Sequence, residues 1–188
     1  MQKSIDLRFS IVCGIIVVAA LSRLIPHALN FSPLAAMAIF GGAYFANKWQ
    51  AILIPILATW ISDIFINNYI YGAYYPTFTF FYEGFYWQYG TYALIAILSI
   101  GFLKKVNFVK VLSASLLASV LFFVITNFGC WIGSSFYTQD LAGLMQCYAA
   151  GVPFFKGTLS GDLIYSFILF GAYALAQKTI LYKAKSII

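Results

Sequence analysis

The chain has 188 residues, 63% of them hydrophobic and only 9% charged, far below the roughly 25% charge of a soluble globular domain. That composition excludes a soluble protein and marks an integral membrane protein. The net charge of +6 follows from where the basic residues fall, as set out below, and gives no reason to expect nucleic-acid binding.

Six hydrophobic segments follow one another, at approximately 7–25, 33–47, 50–68, 87–103, 108–132 and 154–178. Most approach the ~20 residues needed to span a bilayer core. They predict an all-α integral membrane protein with six transmembrane helices in a single domain over 1–188. The first segment has a short polar start and no small-residue cleavage pattern, so it reads as retained rather than removed. The second is short, begins at Pro33 and contains Gly41-Gly42. It is expected to be tilted, broken or re-entrant, which is acceptable only where protein or water satisfies its backbone. Before the fourth lies an unusual stretch, with twelve aromatic residues among the twenty-one positions Tyr69–Tyr89 and Glu83 as its one charge. Such a segment is either a cap at the water–lipid interface or a lid over a pocket, with Tyr75 and Glu83 as candidate contacts.

The charges orient this layout. Lys3, Arg8, Lys48, Lys104, Lys105, Lys110, Lys178, Lys183 and Lys185 share one side if both termini lie with the 48 and 104–110 loops. The positive-inside rule then places both termini in the cytoplasm of a multi-pass inner (plasma) membrane protein. Arg23 and Lys156 fall outside, together with Asp63, Glu83, Asp140 and Asp162. The inner halves of the segments read as plain Ile, Leu, Val, Ala and Phe, so the polar groups predict a pocket open outwards.

Four polar clusters mark that pocket, because ionisable groups inside a bilayer are costly. In the first, Arg23 and His27 are four apart, with Pro26 expected to bend or end the helix. His27 is either a ligand to metal or solute or a loop histidine held by backbone. Arg23 snorkels to headgroups or pairs with an acid or an anionic ligand. Asn30 and Ser32 are candidate caps of the second helix, whose start also offers free N–H groups. In the second cluster Thr59, Asp63 and Asn67 line one face beside Trp60, and Asp63 needs a partner, Arg23 or His27. In the third, Asn127, Cys130 and Trp131 share a face, and Gly129 and Gly133 permit close helix approach. The fourth, Lys156 to Asp162, opens the last segment, with Asp162 facing the cavity or satisfying the helix start. Cys130 and Cys147 lie near each other at the outer face, either bridged or free.

Known catalytic motifs are missing. There is no H-E-x-x-H, G-x-S-x-G or P-loop, and one histidine with scattered cysteines does not build a three-ligand zinc site. A transport or binding protein fits better than an enzyme, and no cofactor is required.

Six segments, a short second one and recognition groups gathered outside resemble the substrate-binding S-components of energy-coupling factor (ECF) transporters. The runs Arg23-x-x-Pro26-His27-x-x-Asn30-Phe31-x-Pro33-x-x-Ala36 and Leu159-Ser160-Gly161-Asp162 carry the likeness, which covers most of the chain. It implies an S-component-like bundle that captures a vitamin-sized solute, with energising transporter subunits or an outer-membrane uptake partner. Nickel and cobalt S-components begin Met-His, whereas this chain begins Met1-Gln2, so free-metal uptake is not implied. Ala19 and Ala20 are adjacent rather than three apart, unlike the docking pair for a coupling subunit. The chain is thus more similar to solitary cobalamin transporters, although 64–88 holds no cysteine matching theirs. On that resemblance cobalamin is the lead substrate, with His27 as axial cobalt ligand and Cys130 or Cys147 as substitutes. Two further classes remain open: an accessory or assembly subunit, and an intramembrane enzyme.

Overall fold

A computed structural model describes residues 2–75 and 77–185, with side chains over 7–75 and 77–179. Among these residues the chain is all helical: α1 (Gln2–Ser22), α2 (Leu34–Tyr44), α3 (Lys48–Phe65), α4 (Phe85–Phe102), α5 (Phe108–Gly133) and α6 (Leu141–Lys185). Lys3, Lys183 and Lys185, on which the charge argument partly rests, lie outside the residues whose side chains are described.

α2 occupies the centre. Its sequence, LAAMAIFGGAY, is apolar all round, and a helix of that kind is buried rather than amphipathic. Every residue from Leu34 to Gly42 is buried. α2 touches α1, α3, α4, α5 and α6. Gly41 and Gly42 do not break it. They let it wedge between α3 and α4, since a Cβ at Gly41 would meet Pro55 at 2.8 Å and one at Gly42 would meet Ser99 at 2.7 Å. At eleven residues it is about 16 Å long, half the ~30 Å bilayer core. Neither Asn30 nor Ser32 caps it. Pro33 stands at the cap position without a side-chain bond, and its carbonyl accepts from Met37 N (2.8 Å).

Three helical stretches are long and apolar enough to cross a membrane: Lys48–Ile70, Phe108–Gly133 and Leu141–Thr179. α3 starts on Asn47, whose side chain accepts from Trp49 N (2.9 Å), and α5 starts on Asn107, which accepts from Lys110 N (2.9 Å). The last helix departs from expectation. The sequence places it at 154–178, but it begins at Leu141 and runs through Pro153 for 45 residues. Proline's fixed φ is helical, so inside a helix it costs a hydrogen bond and a clash rather than forbidding continuation. The true start is Asp140, whose carboxylate accepts from Gly143 N (2.8 Å) and the Thr138 hydroxyl (2.8 Å). Those bonds, the Gly143 amide foremost, hold its carboxyl below the usual range.

Contacts fix which loops share an end. Phe9 meets Phe45 (5.8 Å), Tyr44 lies against Tyr173 (3.9 Å), and Lys110 Nζ reaches Phe102 O (3.4 Å). Arg8, Lys48, Lys104, Lys105, Lys110 and Lys178 therefore gather at one end of the bundle, opposite the aromatic segment. That segment is tied down by specific bonds. Asn68 donates to Thr79 O (2.8 Å) and accepts from Thr79 N (2.7 Å), while Trp60 Nε1 donates to Phe80 O (3.1 Å) and its ring stacks on Phe81.

Candidate functional site

The polar side chains form two groups on either side of α4. The first is an ion pair. Arg23 sits just past the end of α1 and Asp63 near the end of α3; Nη2 and Oδ1 are 2.6 Å apart, with side chains 11% and 7% exposed. Arg23 also donates to Ser62 Oγ and to Thr59 O (3.4 Å), and Tyr89 OH donates to Asp63 Oδ2 (2.7 Å). A charge pair at this depth is stable only when its remaining donors and acceptors are met, and here they are. Asn67 continues the same face within a π-helical turn (Ile66–Ile70); it is buried, and its Nδ2 has no partner among the described residues.

The second group surrounds a cavity in two adjoining compartments between the 29–32 segment, α4, α5 and α6. One is lined by Asn30, Ser32, Ala35, Gln88, Tyr92, Phe122, Thr158 and Asp162. The other, the larger, shares Asn30, Phe122 and Thr158 and adds Asn127, Cys130 and the rings of Phe123, Phe154 and Phe155. Asp162 is 3% exposed and accepts a bond from Ser119 Oγ (2.6 Å). Asn30 reaches both compartments from a left-handed backbone (φ 58°), a conformation Asn tolerates better than most residues. The 29–32 segment can lie this close because α6 presents Gly157 to Leu29 and Gly161 to Ser32.

The cavity wall and the aromatic segment are joined. Tyr82 OH donates to Gln88 Oε1, and Gln88 Nε2 donates to Tyr92 OH (3.3 Å), whose ring stacks on Phe122 at 5.4 Å. Burial, and then the nearby Asp63 carboxylate, push the Tyr82 phenol above its usual range, so it stays a proton donor. Tyr75 is within electrostatic range of Tyr82 but does not line the cavity.

The sequence-predicted residues thus separate. Asn30, Asn127 and Asp162 share the cavity; Arg23, Trp60, Asp63 and Asn67 belong to the α3 face. His27 is exposed, with Nδ1 2.9 Å from Ala28 O, and lines neither compartment. α1 ends at Ser22, before Pro26, so Arg23 and His27 do not share a helix face. Glu83 is exposed. Trp131 turns outward, its Nε1 donating to Thr138 O (2.9 Å). Asp162 lies mid-helix rather than at a helix start, and Tyr165, one turn on, bonds Ser22 Oγ (3.0 Å). Gly129 packs on Trp87, but nothing lies within 4 Å of a Cβ at Gly133. Cys130 and Cys147 are free thiols within hydrogen-bonding range of each other. Among the described residues, no group of three or more His, Cys, Asp or Glu side chains is placed to hold a metal ion.

Three residues carry the site without a sequence signal, Gln88, Tyr92 and Ser119, whereas Thr158 falls within the fourth cluster. The inner halves of the helices are also less plain than their sequence reads. Ser99, Ser115, Ser119 and Ser166 are buried there, and Ser115 Oγ donates to Ser166 Oγ (2.8 Å).

A family model described as a family of unknown function (DUF6580) matches residues 3–185, and the chain belongs to that family. No curated protein and no solved structure gives a significant match.

Proposed function

We propose that this DUF6580 member is a membrane-embedded binding protein that takes up a vitamin-sized solute through the cavity between the 29–32 segment, α4, α5 and α6. One observation carries the reading: a buried carboxylate, Asp162, and five uncharged polar residues (Asn30, Ser32, Gln88, Tyr92, Thr158) face one cavity inside the bundle. Polar lining at that depth is costly unless something uses it. The corrinoid suggested by the S-component likeness needs more room, and His27 stands outside the lining; a smaller ring-bearing solute fits better. Mass spectrometry of protein purified in mild detergent is expected to find one such molecule at near-stoichiometric amount. A tightly co-purifying polypeptide with no small molecule points instead to an accessory subunit. A product that accumulates without directional movement points to an enzyme.

The same reading takes all six helices as an S-component-like bundle with its basic end in the cytoplasm of the plasma membrane. On a background lacking accessible native cysteines, Lys105→Cys is expected to resist an impermeant thiol reagent in intact cells, while Gln139→Cys reacts. The opposite pattern inverts the orientation and opens the cavity side to the cytoplasm.

A further inference from the structure

We infer, resting on the uptake reading above, that the cavity selects an organic cation, an ammonium-bearing solute with an apolar or aromatic body whose charge is read by Asp162. The lining of the two compartments holds one carboxylate and, among the described residues, no Lys, Arg or His. Of the two cations on the outer side, Arg23 is already committed to Asp63, Ser62 and Thr59, and Lys156 is exposed and lines neither compartment. Asp162 receives one protein donor, Ser119, and faces a space it shares with Asn30 and Thr158. A buried carboxyl is favourable only when it is neutralised by a proton or paired with a positive group and hydrogen-bonded; a cation entering from outside supplies that pairing here.

The remaining walls say what kind of cation. A bare metal ion wants six or more close oxygen ligands, and no cluster of acidic, His or Cys side chains surrounds Asp162 among the described residues. Instead the cavity widens from the carboxylate towards the rings of Phe122, Phe123, Phe154 and Phe155. Ring faces attract organic cations and cover apolar bodies. Amide and hydroxyl oxygens at Asn30, Thr158 and Asn127 accept the further N–H donors such a group carries.

The test uses the whole chain in nanodiscs and three probes of similar shape: 2-phenylethylamine, 2-phenylethanol and phenylacetate. Dissociation constants come from the ligand-dependent shift of the unfolding midpoint. The amine is expected to bind at least about tenfold more tightly than the alcohol or the acid, and Asp162→Asn is expected to remove that preference. Gly171→Ala, on the same helix but outside the lining, should retain it. Equal binding of the three probes, tighter binding of the acid or alcohol, or no binding of the amine overturns the inference on wild-type protein alone. An amine preference that persists in Asp162→Asn also overturns it, because the charge is then read elsewhere. A neutral or anionic solute recovered from the purified protein leaves the uptake reading standing and removes this one.

Discussion

Asp63→Ala is expected to destabilise the bundle by about 3–5 kcal/mol, the cost of leaving one partner of a buried ion pair without the other. Arg23 would keep its bonds to Ser62 and Thr59 but lose its counter-charge, and the Tyr89 hydroxyl would lose its acceptor. For a chain of this length that corresponds to a fall of roughly 10 °C in unfolding midpoint. The double substitution Arg23→Met with Asp63→Leu is expected to recover most of the loss, since replacing both charges removes the uncompensated one. A thermal melt of the two single variants and the double variant in one detergent measures the coupling. Strict additivity would show that the two side chains act independently, and the ion pair would then not be the element that joins α1 to α3. Because neither residue lines the cavity, a refolded double variant should retain the solute. Loss of solute at full stability would return Asp63 to the binding site.

The contrast between these two groups shows where the sequence is informative. A charged residue deep in an apolar helix must find a partner, and that rule alone pointed Asp63 to Arg23 or His27; the structure supplies Arg23. α2 was legible only as a short second segment: eleven residues with no polar face suit lipid as well as protein, so its place at the centre was not. The cavity was not legible. In a soluble helix the buried face is betrayed by polar residues opposite it, but a helix in lipid is apolar on its outer face as well. Nothing in the spacing of Gln88 and Tyr92 on α4, or of Ser119 on α5, says which side of the helix is packed inwards. Ser and Thr are misleading there, because each can satisfy its hydroxyl on its own helix, as Thr126 does on Phe122 O (2.7 Å). Two helix ends were misplaced: α6 begins at Leu141 rather than at 154, and the helix before Pro26 stops four residues early, at Ser22. That early stop separates Arg23 from His27 and turns the imidazole to the Ala28 carbonyl.

Gly157→Val is expected to have the largest effect on solute retention of any substitution outside the cavity lining. A Cβ at this position would run into the Leu29 carbonyl oxygen, with Leu29 C at 3.1 Å and Asn30 C at 3.3 Å. One turn on, a Cβ at Gly161 would meet Ser32 N at 2.8 Å and Ser32 O at 3.0 Å. All of these are backbone atoms, which cannot rotate aside as a side chain can. The 29–32 segment must therefore lift from α6, and with it Asn30, which borders both compartments. Overpacking of this kind costs typically about 1–3 kcal/mol, and solute retention should fall at least about tenfold as the shared wall opens. Gly171, on the same helix, is the control, because nothing lies within 4 Å of a Cβ there. Gly171→Ala should stabilise α6 by roughly 0.5–1 kcal/mol, the helical advantage of Ala over Gly, and leave retention unchanged. Melting curves and solute content measured on the three proteins decide the matter. If Gly157→Val melts and retains solute like wild type, the close seating of the 29–32 segment on α6 is not what shapes the cavity.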